Sequence, residues 1–271
     1  MVRYYNELTR LEMEQVDKDE TVVMIPVGAL EQHGNQCPLG TDEIIAEGTA
    51  RRIKEALDRE IPDYPMLIFP LIPVGLSTEH VNFCGSVTLK PDTFYHVLYD
   101  ICKGLAHHGF RKIAILNCHG GNSPIIQVLS REVRSELGIA VFIINCGAFF
   151  GNQAVKDTVT PGNIWDFHGG EMETSMVLAE RPETVKLETS EAGIPRKFMG
   201  NKTFTVYGPI TLGWVSEEWE TEDGKPIGIG GDPKRGDGGE GQPDLRQLCG
   251  VDPFRAERDQ KVERLRHCFR K

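Results

Sequence analysis

The sequence predicts an α/β protein, a single-domain three-layer α/β/α sandwich around a mostly parallel sheet. Two observations support this class: apolar, β-branched runs too continuous for half-exposed strands, and intervening segments whose apolar residues recur at helical spacing. Strands covered on both faces by helices are typical of parallel sheets with right-handed crossovers. The predicted strands are Thr21–Val27, Met66–Val74, Lys112–Leu116 and Ala140–Asn145.

Three predicted helices alternate with these strands. The first runs from Thr41 to Leu57, and the second from Asp92 to His108, where Gly109 stops it. The third begins at Ser123, has proline in its first turn and ends at Gly138. The resulting β-α-β-α-β-α-β order places ligand-binding residues at the carboxyl ends of the strands.

Length, charge and cysteine content exclude several classes of protein. The 271 residues include 40 acidic and 30 basic side chains, and the formal net charge of −10 repels a phosphate backbone or an anionic membrane. No apolar run approaches the ~20 residues of a membrane span, and the amino terminus lacks a signal core. The seven cysteines include no Cys-x-x-Cys pair, which is typical of reduced thiols. We therefore expect a cytoplasmic protein that binds neither nucleic acid nor membrane.

Residues 1–271 are expected to form one domain, because no low-complexity or linker-like stretch divides them. The glycine-rich segment Thr221–Gln242 has two interpretations, a flexible surface loop or an ordered lid or subunit contact. The amphipathic segment Pro253–Phe269 is predicted as a closing helix.

Three side chains that commonly bind metals follow the first predicted strand. Glu31, His33 and Asp42 offer two carboxylates and an imidazole, a set that suits Zn²⁺, Mn²⁺ or Fe²⁺. Two metal ions share a site when one carboxylate bridges them, and Asp42 is placed for that role. The alternative is a loop glutamate, a loop histidine and an N-capping aspartate. Further polar motifs at 117–122 and 168–175 favour the metal site, since several ligand types recur together.

Together these motifs resemble the creatininase (creatinine amidohydrolase) superfamily. The resemblance covers residues 20–240 and rests on Glu31-x-His33, Asp42, Asn117-x-His119 and His168-Gly-Gly-x-x-Glu173-Thr-Ser, with weaker similarity at Gly75–His80 and Gly231–Pro233. It implies a dinuclear divalent metal centre, hydrolysis of small cyclic amides or related substrates, and a homohexamer. It also implies metal-ligand roles for Glu31, His33, Asp42 and His119, and a catalytic role for His168.

Two positions depart from creatininase proper. That enzyme has a metal-binding glutamate two residues after the equivalent of His119, where this chain has Gly121, and a glutamate where this chain has Phe167. Both losses argue against creatinine as the natural substrate. We expect Glu173 to supply the missing ligand; its alternative role is to orient a ligand histidine.

The expected chemistry is hydrolysis by a metal-bound hydroxide, formed because two divalent ions lower the pKa of a bound water and polarise a carbonyl. His168 and Glu173 are the expected catalytic side chains, with His168 donating a proton to the leaving group unless the backbone holds it as a structural histidine. The glycine-rich turn after His119 either receives an anionic oxygen at a helix N-terminus or is simply a tight turn. The predicted substrate contacts are His80, Gly120, Gly121, Asn122 and Trp214.

Several functions stay open at this stage. The leading one is hydrolysis of a small polar, cyclic amide. Members with the His-Gly-Gly-Asn variant resemble formamidopyrimidine deformylases, the mycofactocin peptidase and a hydrolase that opens a diketo-inositol ring, so ring-opening C–C hydrolysis of a substrate such as 3-dehydro-scyllo-inosose is the runner-up. A non-catalytic metal-binding assembly protein is supported only by the loss of the glutamate at Gly121. The retained ligands argue against it.

Overall fold

The computed structural model describes residues 2–146, 160, 165–204, 206 and 209–236. Its centre is a five-stranded sheet in which every strand pair is parallel, in the spatial order β1-β3-β2-β4-β5. This confirms the mostly parallel sheet expected from the sequence. The strands are β1 (Arg3–Tyr4), β2 (Val22–Val27), β3 (Met66–Ile68), β4 (Lys112–Asn117) and β5 (Ala140–Asn145).

Helices cover both faces of the sheet and complete the expected three layers. Alternate strand residues point to opposite faces, so Val22 and Met24 pack towards α2 and α5, whereas Val23 and Ile25 pack towards α3 and α4. All four side chains are essentially inaccessible to solvent. The described helices are α1 (Arg10–Glu14), α2 (Thr41–Glu60), α3 (Pro91–His107), α4 (Ser123–Leu137) and α5 (Glu171–Glu180).

The predicted strand Met66–Val74 is wrong beyond Ile68. Pro70 and Pro73 lack the N–H that a strand inside a sheet donates, so the regular ladder stops. The chain still follows β2, because the N–H groups of Phe69 and Ile72 donate to β2 carbonyls at 2.7 and 3.0 Å. This path carries the next loop to the carboxyl edge of the sheet.

The glycine-rich segment is ordered over the part that the structure describes, residues 221–236. Gly230 donates its N–H to the carbonyl of His168 at 2.8 Å, and Gly231 pairs with Gly193. These contacts favour the ordered interpretation for Gly228–Gly231, which lie against the candidate site. The rest of Thr221–Gln242 and the predicted helix Pro253–Phe269 lie outside the described residues. No helix in the described part of the chain is both long and apolar enough to span a membrane.

Candidate metal centre

The predicted ligands converge at the carboxyl edge of the sheet, as expected for a parallel α/β fold. Glu31 and His33 follow β2, and Asp42 lies in the first turn of α2. His119 follows β4, and Glu173 lies in the first turn of α5. All five side chains are buried or nearly so: none is more than 12% exposed.

Asp42 lies between two groups of potential ligands. Its Oδ1 is 3.4 Å from Nε2 of His33, and its Oδ2 is 3.2 Å from Nδ1 of His119. Oε1 of Glu31 lies 3.2 Å from the same nitrogen of His119, and Oε2 of Glu173 lies 3.5 Å from Nε2 of His33. The side chains therefore form two compact triads, Glu31–Asp42–His119 and His33–Asp42–Glu173, which share Asp42.

Four buried polar atoms at the centre of this cluster lack a hydrogen-bond partner among the described residues. They are both carboxylate oxygens of Glu31, Nε2 of His33 and Oδ2 of Asp42. A buried, unsatisfied carboxylate is costly, and such charges are normally paired or bound to metals. Imidazole and carboxylate are also ligands that Zn²⁺ and Mn²⁺ accept. The residues present therefore fit divalent metal ions.

The electrostatics of the metal-free site support the same conclusion. Burial opposes protonation of His33, yet the carboxylates of Asp42, Glu173 and Glu31 raise its pKa to about 9. His119 behaves in the same way, and its pKa lies well above the usual range despite burial. The carboxylates therefore hold protons on both imidazoles until another cation compensates their charge. A bound metal would displace these protons.

His168 and His80 stack beside the two triads. The ring centroid of His168 lies 4.3 Å from that of His33 and 3.9 Å from that of His80. Nδ1 of His168 is 3.5 Å from Oε1 of Glu31, so Glu31, His33 and His168 form a third group of potential ligands. Burial lowers the pKa of His80 to about 4 and holds that of His168 well below its usual range. The structure thus brings His168 and His80 to the site, where burial disfavours the protonated form of both rings.

The loop that follows β3 orients His119, next to the predicted glycine turn. Nε2 of His119 donates to the carbonyl of Leu76 at 2.5 Å, which leaves Nδ1 to face Glu31 and Asp42. A carbonyl bonded to the distal nitrogen of a ligand histidine fixes its orientation. Gly121 leaves room for the carboxylate of Glu79, whose Oε1 is 3.8 Å from Nε2 of His119. Gly120 is exposed at the same turn.

Asn122 is fully buried and joins the loops that follow three strands. Its amide donates to Gly28 O at 3.0 Å and to Asn117 Oδ1 at 3.2 Å, and its Oδ1 accepts the N–H of Leu76 at 2.9 Å. The structure therefore places this side chain beneath the site rather than on its open face. Its predicted contact with substrate stays a prediction.

Trp214 stands at the edge of the site next to His80. The two ring centroids are 5.9 Å apart, and Trp214 packs on Phe167 and Trp219 in an aromatic cluster. Trp219 is 1% exposed, whereas Trp214 keeps a partly exposed face. Trp214 is therefore part of a small aromatic core and also borders His80, and its predicted contact with substrate stays a prediction.

Two residues of the site were not identified from the sequence. Gln32 lies between Glu31 and His33, and its amide reaches both His80 and His168, at 3.1 and 3.2 Å. Glu79 precedes His80 within the weaker motif Gly75–His80. Both residues lie within motifs that the sequence analysis recognised. Their contacts in the site are with residues far away in the sequence, which the motifs alone do not indicate.

A model of the creatininase family, described as creatinine amidohydrolase, matches residues 6–249 of this chain. The chain is 30% identical over 219 residues to a creatinine amidohydrolase of Pseudomonas putida, an alignment covering 75% of this chain and 81% of that protein. The chain belongs to the creatininase family. It is a metal-dependent hydrolase, and the resemblance inferred from its motifs is confirmed.

Other relatives in the family differ in their substrates. The chain is 30% identical over 191 residues to a mycofactocin precursor peptide peptidase of Mycobacterium tuberculosis, covering 69% of each chain. It is 26% identical over 199 residues to a 3-dehydro-scyllo-inosose hydrolase of Thermotoga maritima, covering 72% of this chain and 62% of that protein. Membership of the family therefore leaves the substrate open.

Solved creatininase structures share the fold of this chain. An Mn form superposes with a TM-score of 0.67 at 23% identity and covers 99% of both chains. A mutant creatininase of the Zn–Zn type superposes with a TM-score of 0.70 at 23% identity, covering 99% of this chain and 98% of that one. The family fold thus holds Mn or Zn in these structures, in agreement with the ligand set described above.

Proposed function

We propose that this chain is a dinuclear metal hydrolase that cleaves an amide-type bond in a small, polar, cyclic substrate. The observation that carries the proposal is the pair of ligand triads sharing Asp42. In this proposal Glu31, Asp42 and His119 hold one divalent metal ion, and His33, Asp42 and Glu173 hold the other. Buried carboxylate oxygens without a hydrogen-bond partner explain why two cations stabilise the site.

When bound, two such ions supply Lewis-acid polarisation of a carbonyl and a water that is nucleophilic at neutral pH. Hydrolysis adds the oxygen of water to the carbonyl carbon, breaks the C–N bond and transfers a proton to the leaving nitrogen. Nδ1 is the nitrogen of His168 that faces the site, because Nε2 is bonded to the main chain of Gln32. We propose that Nδ1 of His168 accepts a proton from the attacking water and passes it to the leaving nitrogen. Glu173, a member of the second triad, is the other proposed catalytic side chain.

The remaining site residues are proposed to position the substrate. His80 and Trp214 form one wall, with ring centroids 5.9 Å apart. Gly120 is exposed at the turn before α4, where main-chain N–H groups lie at the positive end of the helix dipole. Asn122 contributes by joining the loops that follow β2 and β3, and Gly121 contributes by leaving space for the side chain of His119.

Ring-opening hydrolysis of a C–C bond in a cyclic diketone is the second candidate. The similarity to the Thermotoga maritima hydrolase favours it, as do Gly121 and Phe167, which replace the glutamates of creatininase proper. Both reactions need one electrophilic carbonyl at the metals, and they differ in the leaving group. A cytoplasmic location, supported by the cysteine content, and a homo-oligomeric state, supported by the family resemblance, are parts of the same proposal.

Metal content tests the proposal directly. Protein purified without chelators is analysed by inductively coupled plasma mass spectrometry, alongside Asp42→Ala. We expect close to two metal ions per chain and loss of both in the variant, because Asp42 belongs to both triads. Glu47→Gln, an exposed residue on the same helix, is the control and keeps both ions. Absence of metal after incubation with Zn²⁺, Mn²⁺ or Fe²⁺ would favour a non-catalytic binding protein.

The metal-loaded protein is then screened against compounds that separate the candidate reactions. Creatinine and other cyclic amides, formamides, short peptides and inositol-derived cyclic ketones are incubated with protein, and products are identified by mass spectrometry. Release of an amine or ammonia with a carboxylate supports amide hydrolysis. Ring opening of the ketone without release of nitrogen supports the second candidate.

A further inference from the structure

Gln32 connects three parts of the site that lie far apart in the sequence. It is 5% exposed and stands between Glu31 and His33. Its side-chain amide and its main chain contact His80, His168 and the glycine-rich segment at Gly228. Such a buried polar side chain is expected to have a defined hydrogen-bond pattern.

Two main-chain groups fix the orientation of the Gln32 amide. Oε1 accepts the N–H of Gly34 at 2.9 Å, and Nε2 donates to the carbonyl of Gly228 at 2.6 Å. In the flipped orientation, oxygen would face the Gly228 carbonyl and NH₂ would face the Gly34 N–H, so both bonds would become repulsive. Gly228 itself has φ +78°, and a Cβ there would lie 2.7 Å from Nε2 of Gln32. Glycine permits this close approach.

The main-chain carbonyl of Gln32 fixes the tautomer of His168. Nε2 of His168 lies 2.9 Å from this oxygen, which only accepts hydrogen bonds. The ring proton of His168 therefore lies on Nε2. Nδ1 points the other way, towards Oε1 of Glu31 at 3.5 Å.

The side-chain amide of Gln32 then fixes the tautomer of His80. One N–H of the amide is used on Gly228, and the second lies 3.1 Å from Nδ1 of His80. Nε2 of His168 is at a similar distance but already carries a donated proton, so it does not compete as an acceptor. Nδ1 of His80 accepts, and its ring proton lies on Nε2, 3.6 Å from Oε1 of Glu31.

We propose that Gln32 is a positioning residue that gives the site one imidazole donor, Nε2–H of His80, and one imidazole acceptor, Nδ1 of His168, on either side of Glu31. This inference rests on the proposed function for its use in catalysis. An acceptor atom of the substrate, next to the cleaved carbonyl, binds His80, and the attacking water donates to His168. The arrangement selects substrates that carry a hydrogen-bond acceptor on the His80 side.

The tautomers are measured by long-range ¹H–¹⁵N correlation NMR on the Zn²⁺-loaded protein with ¹⁵N-labelled histidine. His80→Gln and His168→Gln assign the two rings by loss of their signals. We expect both rings to be protonated on Nε2 only. In Gln32→Glu, a carboxylate replaces the donor amide, so the ring proton of His80 moves to Nδ1 or a second proton is added there. His168 is unchanged, because its partner is a main-chain oxygen.

Gln36→Glu is the matched control. Gln36 is equally buried in the same loop and donates to the carbonyl of Gly169 at 2.7 Å, without contacting either imidazole. Neither tautomer changes in this variant. The inference is overturned by a proton on Nδ1 of His80 in the unsubstituted protein, or by an unchanged His80 tautomer in Gln32→Glu. The spectrum of the unsubstituted protein decides the question even if Gln32→Glu does not fold. If the hydrolase proposal alone is wrong, the two histidines show the expected tautomers but the protein hydrolyses none of the tested substrates.

Discussion

The carboxylate of Glu79 fills the space that a side chain at Gly121 would need. A Cβ on Gly121 would lie 2.7 Å from Oε1 of Glu79, 2.5 Å from Nε2 of His119 and 2.5 Å from the carbonyl of Leu76. The last two atoms form the hydrogen bond that orients His119 towards Glu31 and Asp42. The family glutamate is therefore absent at a position where this chain has no room for one.

Gly121→Ala is expected to weaken metal binding. The added methyl group displaces His119 or Leu76, and disturbing the partner of a ligand histidine typically costs about 10–100-fold in metal affinity. Affinity is measured by competition with a chelator of known strength. Gly120→Ala is the matched control, because a Cβ there meets no atom within 4 Å. Equal affinities for the two variants would show that Gly121 has no part in orienting His119.

The sequence predicted the central strands and most ligands because both depend on local signals. Continuous apolar runs mark buried parallel strands, and residues such as Glu31 and His119 follow those runs directly. By contrast, β1 has two residues and exists only through pairing with β3. Helix α5 has buried residues at Met172, Met176 and Val177, a short run that becomes recognisable only when packed against α2.

The contacts of Gln32 and Glu79 had no local signal. The bond from Gln32 to Gly228 joins residues 196 positions apart, and nothing in the spacing of either segment indicates their proximity. Glu79 enters the site because Gly121 lacks a side chain, a relation between two loops that only the folded chain reveals. Ligand types could be predicted, whereas the residues that hold and orient them could not.

Glu173→Gln is expected to remove one metal ion and retain the other. Glu173 belongs to the triad with His33 and Asp42, but not to the triad of Glu31, Asp42 and His119. Metal content by mass spectrometry should therefore fall from about two ions per chain to about one. Glu79→Gln serves as the comparison, because Glu79 is outside both triads. Two retained ions in Glu173→Gln would assign Glu173 the alternative role of orienting His33.

Trp219 and Trp214 are expected to differ in their effects on stability. Trp219 is 1% exposed and packs on Phe167, with ring centroids 3.7 Å apart. Trp219→Ala should lower the free energy of unfolding by about 3–5 kcal/mol, the usual cost of removing a buried aromatic ring. Trp214→Ala should cost less, because its ring is partly exposed, and should act mainly on substrate binding next to His80. Denaturant unfolding of both variants checks the order.

Metal-free protein should lose stability as the pH rises. Burial raises the pKa of Glu173 to about 7 from 4.5, so its contribution is complete below pH 4.5 and is lost as the pH passes 7. The carboxylates around His33 raise its pKa to about 9 from 6.5 despite burial, so its contribution is complete below pH 6.5 and lost through pH 9. His33 and His119 lower the pKa of Asp42 despite its burial, so the stability that Asp42 contributes is lost only in acid.

Bound metal is expected to reverse this trend, because it replaces the protons on His33 and His119. The increase in melting temperature caused by Zn²⁺ should therefore grow between about pH 5 and pH 9, up to the onset of zinc hydroxide precipitation. Calorimetric titrations in buffers of different ionisation enthalpy should show proton release on binding at pH 7. His33→Gln should release fewer protons, whereas His96→Gln, a histidine on α3, should release as many as the unsubstituted protein. Metal stabilisation that is independent of pH would contradict the protonation of His33 in the metal-free site.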